Sequence, residues 1–399
     1  MATRRFVHTG LARLSIDRRC KDVSRVIPTL AECLARPRND LAAVRILAAT
    51  AVLHAHAWMT AVPGLRTEDF LHVFAFTFDF HGVHAFFILS GMLLTRSLID
   101  RPDGLRFVVA RLTRYVPAIF VAALVAALAI GPLVTQIAPS AYFTGALATF
   151  VFKITTLADV NASLPGVFER NPTPRILFIP LWTIHYELVF AFALAILGAL
   201  GLLRIKPLVL VGLGATLAGA VVWFWNGEEH LRLGTPHHLV RFCTTFGIGV
   251  AMGVFADRIT VSNRMMLLVA AIAAPLAFTH FAAVAGMALI AYAIVWIGFC
   301  SPPLAGALAK LGVWSYGFYV WGYLIEQTIA YAIPGASAWA IFALSFPLAL
   351  AVGWASWTFV ERPSIAWTSA IAASIRRLIR RGRAPSSSDA GHGATIAGD

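Results

Sequence analysis

Arg45, His54 and His56 stand in AAVRILAATAVLHAHAW, residues 42–58, a run otherwise made almost wholly of hydrocarbon side chains. In a helix, successive residues turn by about 100° and rise by about 1.5 Å. Arg45 and His56 are eleven positions apart. They therefore differ by roughly 20° in azimuth and about 16 Å along the axis, and share a face. His54 is nine positions from Arg45, which puts it about 180° away on the opposite face. A guanidinium suits phosphate because it offers planar paired donors, and a neutral imidazole can accept a proton or carry an acyl group. The shared face is cationic at one end and carries a proton acceptor deeper in. A substrate that is anionic at one end and long and uncharged towards the other fits such a stripe, and acyl-coenzyme A has that shape.

The surroundings of this helix are equally apolar. Of 399 residues, 59% are hydrophobic and 13% charged, and windows of membrane-spanning length recur along the chain, so the expected class is an all-α polytopic membrane protein. Ten spans are expected, at about 41–62, 73–95, 115–137, 181–203, 207–226, 241–257, 265–281, 283–301, 312–333 and 338–360. The net charge of +13 argues for topology and lipid contact rather than nucleic acid, because nine of the 32 Lys and Arg fall in the first 40 residues and no aromatic residues alternate with them. With both termini cytoplasmic, 25 basic residues lie inside and six outside: Arg66, Lys153, Arg170, Arg175, Arg232 and Arg241. Arg45 lies within a span. The charged N-terminal stretch lacks the apolar core of a cleavable signal peptide.

The expected organisation is a basic cytoplasmic segment 1–40, a membrane domain 41–362 and a basic tail 363–399, whose WTSAIAASIRRLIRR has interfacial-helix spacing before a disordered end. Residues 140–157 are read as re-entrant or interfacial, and 164–180, rich in proline and turn residues, as the longest external loop. If the first span starts near Leu41, His56 lies some 22 Å inside it. An ionisable group at that depth is costly unless it lines a wet cavity or has a partner. His81 and His84 are three apart, but without ligands on another span they do not make a metal site. The four cysteines show neither disulfide nor zinc spacing.

The Arg45–His56 spacing, FFILSGMLLTRSL, RLTRYVP, LPGVFERNP, LWTIHYELVFA, SYGFYVW and VERP, in this order, resemble the membrane acyltransferase 3 family. The resemblance implies transfer of an acetyl or other short acyl group from coenzyme A to a hydroxyl of an extracytoplasmic carbohydrate, such as O-antigen or exopolysaccharide, by an enzyme of the bacterial inner membrane. Acyl-CoA, with acetyl-CoA first, is then the donor substrate, and no cofactor is tightly bound. The resemblance makes His56 the essential histidine, as general base or as acyl carrier, with Arg45 its companion. It assigns Arg111 and Arg114 to the donor. An imidazole needs an orienting group, for which Glu187 is the first candidate, or else for acceptor contact; Glu326 and His185 are further candidates. Ser90 and Gly91 are expected to let helices approach closely, and Tyr316, Glu361 and Arg362 to tie helix ends. Gly322, His84 and His185 depart from the family pattern. The rival reading is a proton-coupled transporter with His56, Glu187 and Glu326 as a relay.

Overall fold

The computed structural model describes residues 27–36, 39–65, 70–225, 235–300 and 305–382. The basic run before residue 27, Arg66, Arg232 and the tail after 382 lie outside them.

The chain is a succession of helices: α1 (Leu30–Leu34), α2 (Leu41–Ala61), α3 (Phe78–Asp100), α4 (Gly104–Val125), α5 (Gly131–Val134), α6 (Pro139–Tyr142), α7 (Gly145–Thr155), α8 (Leu181–Ala199), α9 (Lys206–Trp223), α10 (Thr235–Val254), α11 (Asn263–Leu276), α12 (Ala282–Cys300), α13 (Ala305–Leu311), α14 (Ser315–Ala332), α15 (Ala338–Ser356), α16 (Arg362–Ala366) and α17 (Thr368–Gly382). Among the described residues, β structure is limited to isolated bridges. Seven helical stretches are long and apolar enough to cross a membrane: Leu41–Ala61, Phe78–Asp100, Gly104–Val134, Leu181–Ala199, Lys206–Trp223, Ala282–Cys300 and Ala338–Arg380. The other three expected spans coincide with α10, α11 and α14, which are helical but fall short of that measure.

Several boundaries differ from expectation, each for a local reason. The third span starts eleven residues earlier than expected, because Asp103 caps α4 by accepting from the Arg106 amide at 3.0 Å. Arg111 and Arg114 thus lie inside this helix rather than at its start. Through a π segment, Ala126–Ile130, it runs on into α5. The sixth helix also starts early, at Thr235, so Arg241, expected outside, is instead buried within α10. Its guanidinium lies over the rings of Phe80 at 3.8 Å and Phe242 at 4.8 Å, which offsets part of the cost of burial. The last span also runs on past its expected end, through a π segment, Trp357–Glu361, into α16, with Pro363 in the first turn after the π segment. Residues 140–157 hold the end of α6 and all of α7, whose eleven residues cover only about 16 Å, too little to cross.

In lipid, helices gain little from hiding apolar surface and associate through close backbone approach. A reciprocal example joins α3 and α10. A Cβ on Gly91 would stand 2.3 Å from the Phe246 carbonyl oxygen, and one on Gly249 would stand 2.2 Å from that of Ile88. Reciprocal glycines therefore set this crossing, the role expected of Gly91.

Candidate active site

The helices enclose a cavity of about 100 Å³ lined by Arg45 of α2, Ser90 of α3, Arg111, Arg114 and Tyr115 of α4, Thr183 and Glu187 of α8, and Tyr316 and Tyr319 of α14. Three of the expected donor residues, Arg45, Arg111 and Arg114, thus meet at one place, drawn from two helices. Their guanidiniums share the cavity with one carboxylate, that of Glu187.

Glu187 is held firmly. Ser90 Oγ donates to its Oε1 at 2.5 Å and Tyr115 Oη donates to the same oxygen at 2.7 Å. Arg114 is oriented by aromatic packing, its guanidinium carbon 5.6 Å from the centre of the Tyr316 ring. Tyr316 is fixed in turn, because its hydroxyl donates to the Tyr115 carbonyl at 3.1 Å. Glu361 is wholly buried and accepts from Ser356 Oγ at 2.9 Å within one helical stretch, while the Tyr316 bond ties the start of α14 to α4.

Glu187 lies six residues into α8, whose start at Leu181 matches the expected span. The start of α8 is pinned near the start of α14: Tyr319 Oη donates to the Pro180 carbonyl at 3.1 Å and lies 2.8 Å from Thr183 Oγ1. Tyr319 is only four residues beyond Ser315, where α14 begins. The segment before α8 must therefore descend into the bundle, and it carries Glu187 to the level of the arginines.

His56 occupies a different level. It is buried on α2, about three turns beyond Arg45, with its ring edge-to-face against Tyr323 at 5.3 Å. It does not line the arginine cavity, and among the described residues no hydrogen bond joins it to Glu187. Glu187 is therefore the partner of Ser90 and Tyr115, not the group that orients the imidazole. The loop 164–180 is bonded to the neighbours of His56 on α2 and α14. Thr173 Oγ1 donates to the Met59 carbonyl at 2.8 Å, Asn171 Nδ2 donates to Gln327 Oε1 at 2.7 Å, and Gln327 Nε2 donates to the carbonyls of Thr173 and Ile176 and to Tyr323 Oη. Loop, α2 and α14 are thereby tied together beside the histidine.

His54 faces the other way, as its 180° offset requires. Its Nε2 accepts from Trp58 Nε1 at 3.2 Å, and its ring packs against Trp339 and Phe342 of α15. His185 is exposed on the outer face of α8, outside the cavity. Glu326 is fully buried on α14, and both its oxygens lack a hydrogen-bond partner among the described residues. It too lies outside the cavity, so no described chain of hydrogen bonds links the three members of the relay that the transporter reading requires. Among the described residues, no group of three or more His, Cys, Asp or Glu could hold a metal.

The model of a family described as an acyltransferase domain, acyltransferase 3, matches residues 38–358. The chain belongs to this acyltransferase family. It is also 26% identical over 377 residues to Nodulation protein 10 of Rhizobium leguminosarum bv. viciae, covering 86% of this chain and 96% of the relative. No solved structure matches. An acyltransferase 3 protein of this build is a multi-pass membrane enzyme, and all the cavity arginines and Glu187 fall inside the matched region, as does His56. α17 lies beyond it.

Proposed function

We propose that this protein transfers an acetyl or other short acyl group from cytoplasmic acyl-CoA to a hydroxyl of an extracytoplasmic carbohydrate, in the bacterial inner membrane. In this reading it has ten spans and both termini in the cytoplasm, so the ends of α2, α4 and α14 nearest the arginines face the cytosol. The observation that carries the proposal is the meeting of Arg45, Arg111 and Arg114 in one cavity between helices. Guanidiniums so grouped repel one another, and an anionic ligand relieves that cost while gaining paired hydrogen bonds.

In the transfer, the acceptor oxygen bonds to the acyl carbon as the carbon–sulfur bond breaks, and the hydroxyl proton ends on the coenzyme A sulfur. No net proton is released. His56 takes the hydroxyl proton as general base, or first accepts the acyl group on a ring nitrogen and passes it on. Arg45 and His56 are about 16 Å apart along α2, a separation suited to a donor whose phosphates stay low while its pantetheine arm reaches the imidazole. Glu187, held by two hydroxyls, balances the arginine cluster and contacts the donor or acceptor at the cavity wall.

The test is direct. Purified protein in lipid nanodiscs, given labelled acetyl-CoA and surface glycan from a strain lacking the gene, is expected to move label into an alkali-labile ester. The glycan of the deletion strain is expected to lack that ester. Normal ester content in the deletion strain, with no acyl transfer in vitro, overturns the reading.

A further inference from the structure

A second cavity, of about 230 Å³, opens at the foot of α4 and is lined by Arg101, Arg106 and Arg111, with Asp103, Phe107 and Thr368. Arg111 lines this cavity and the arginine cavity alike, so the two adjoin. One wall is supplied by the start of α17, an element outside the family domain. It is fastened there by two contacts. Thr368 Oγ1 lies 2.8 Å from Thr113 Oγ1 of α4, and Arg376 donates to both carboxylate oxygens of Asp103.

From these contacts the geometry points to a subsite for the phosphorylated ribose at the nucleotide end of the donor, walled by the C-terminal helix and left cationic because Arg376 neutralises Asp103. The inference rests on acyl-CoA being the donor. The ligand chemistry is a phosphate monoester next to a purine. Arg101 and Arg106 supply the charge, and Phe107 is an aromatic face at the same wall. Arg106 and Arg111 are separated by about 7.5 Å of helix rise, so a phosphate at the outer pair leaves the pyrophosphate within reach of Arg111 and Arg114.

Asp103 is the feature that gives α17 its role. A bare carboxylate in this groove would repel phosphate. Arg376 holds the Asp103 carboxyl below its usual range, so it is ionised at neutral pH, and at the same time Arg376 occupies both its oxygens. α17 thus does more than fasten the helix. It masks the one negative charge among three arginines.

Charge masking and simple fastening make opposite predictions. Arg376→Ala bares the carboxylate and is expected to raise the KM for acetyl-CoA about tenfold, a loss of about 1.4 kcal/mol, with kcat little changed. Asp103→Asn breaks the same pair but keeps a capping side chain, and it is expected to leave KM unchanged or lower it. The double variant is expected to regain wild-type KM. If Asp103→Asn and Arg376→Ala raise KM equally, and the double variant is no better, the pair merely fastens and the inference falls. Dephospho-CoA, which lacks the ribose phosphate, gives a second readout. Arg101→Gln with Arg106→Gln is expected to weaken binding of adenosine 3′,5′-bisphosphate and of acetyl-CoA alike, while leaving use of acetyl-dephospho-CoA unchanged. If binding is lost only in nanodiscs containing phosphatidylglycerol, the groove takes lipid headgroups and the nucleotide assignment is wrong. A wild-type protein that neither binds nor uses acetyl-CoA overturns the proposed function. A wild-type protein that uses it, with variants indifferent to the ribose phosphate, overturns only the subsite.

Discussion

Ser90 on α3 and Glu187 on α8, 97 residues apart in the chain, are joined by a 2.5 Å hydrogen bond at the wall of the arginine cavity. Tyr115 adds a second donor to the same carboxylate oxygen. Removing one hydroxyl leaves the carboxylate with a single partner. Hydrogen bonds to charged acceptors contribute roughly 1.5–3 kcal/mol, so Ser90→Ala and Tyr115→Phe are each expected to cost about one order of magnitude in kcat/KM. Glu187→Gln keeps an acceptor for both hydroxyls but not the charge, and a loss larger than that of either hydroxyl variant is expected. Steady-state acyl transfer by the three variants, with folding checked by size exclusion, tests this. Full activity in Glu187→Gln would show that the charge is dispensable.

The two histidines of HAH are separated by their environments. His54 packs among Trp58, Trp339 and Phe342, whereas His56 is buried against Tyr323, one turn from the Met59 carbonyl that accepts from Thr173 of the loop 164–180. His56→Ala is expected to abolish transfer while the protein still inserts and folds. His54→Ala is expected to keep most activity and to lower the midpoint of thermal unfolding, since it strips one ring from an aromatic cluster. Equal loss of turnover in both would contradict the assignment of the two faces.

Arg114 stacks on Tyr316, and Tyr316 is anchored to the α4 backbone at Tyr115. Arg114→Lys keeps the charge but loses the planar fork and the stacking. Both Arg114→Lys and Arg114→Ala are expected to raise the KM for acyl-CoA more than that for the acceptor, with the lysine variant intermediate. The measurement is a two-substrate kinetic matrix, and an effect confined to the acceptor would remove Arg114 from the donor site.

The features legible in the sequence were those encoded by period and charge. Helical periodicity alone separated His54 from His56, and the family motifs pointed to Arg45, Arg111 and Arg114, which the fold brings to one cavity. Ser90 and Tyr115 escaped as partners of Glu187 because neutral hydroxyls leave no trace in hydropathy or charge patterning, although both lie inside quoted motifs. That Glu187 would meet the arginines was not legible, because the apolar end of the loop before α8, LFIP, gives no sign that it descends to Tyr319. Arg241 was put outside since a charge at the edge of an apolar window looks like a boundary, and only the rings of Phe80 and Phe242 reveal why it is tolerated within.

One buried side chain of α14, Gln327, ties residues 171–176 of the loop to that helix. Gln327 is fully buried, accepts from Asn171 Nδ2 at 2.7 Å and donates to the Thr173 and Ile176 carbonyls at 2.7 and 2.9 Å. Gln327→Ala removes both donors and one acceptor at once and leaves buried loop groups unpaired, each costing about 1–3 kcal/mol. The start of the loop is also held by Thr135 and Gln136 and by buried Val167 and Phe168, so residues 171–176 are the part expected to loosen before the helices do. Hydrogen exchange in residues 171–176 should rise while that in α3 and α10 stays protected. Turnover should fall with the loop, because water then reaches His56 and competes with the carbohydrate for the acyl group. Hydrolysis of acetyl-CoA without acceptor is therefore expected to increase in this variant relative to transfer. Asn171→Ala, which removes donors but leaves Gln327 in place, is expected to show the same change more weakly. Unaltered exchange in the loop, or an unchanged ratio of hydrolysis to transfer, would mean that the segment does not seal the histidine.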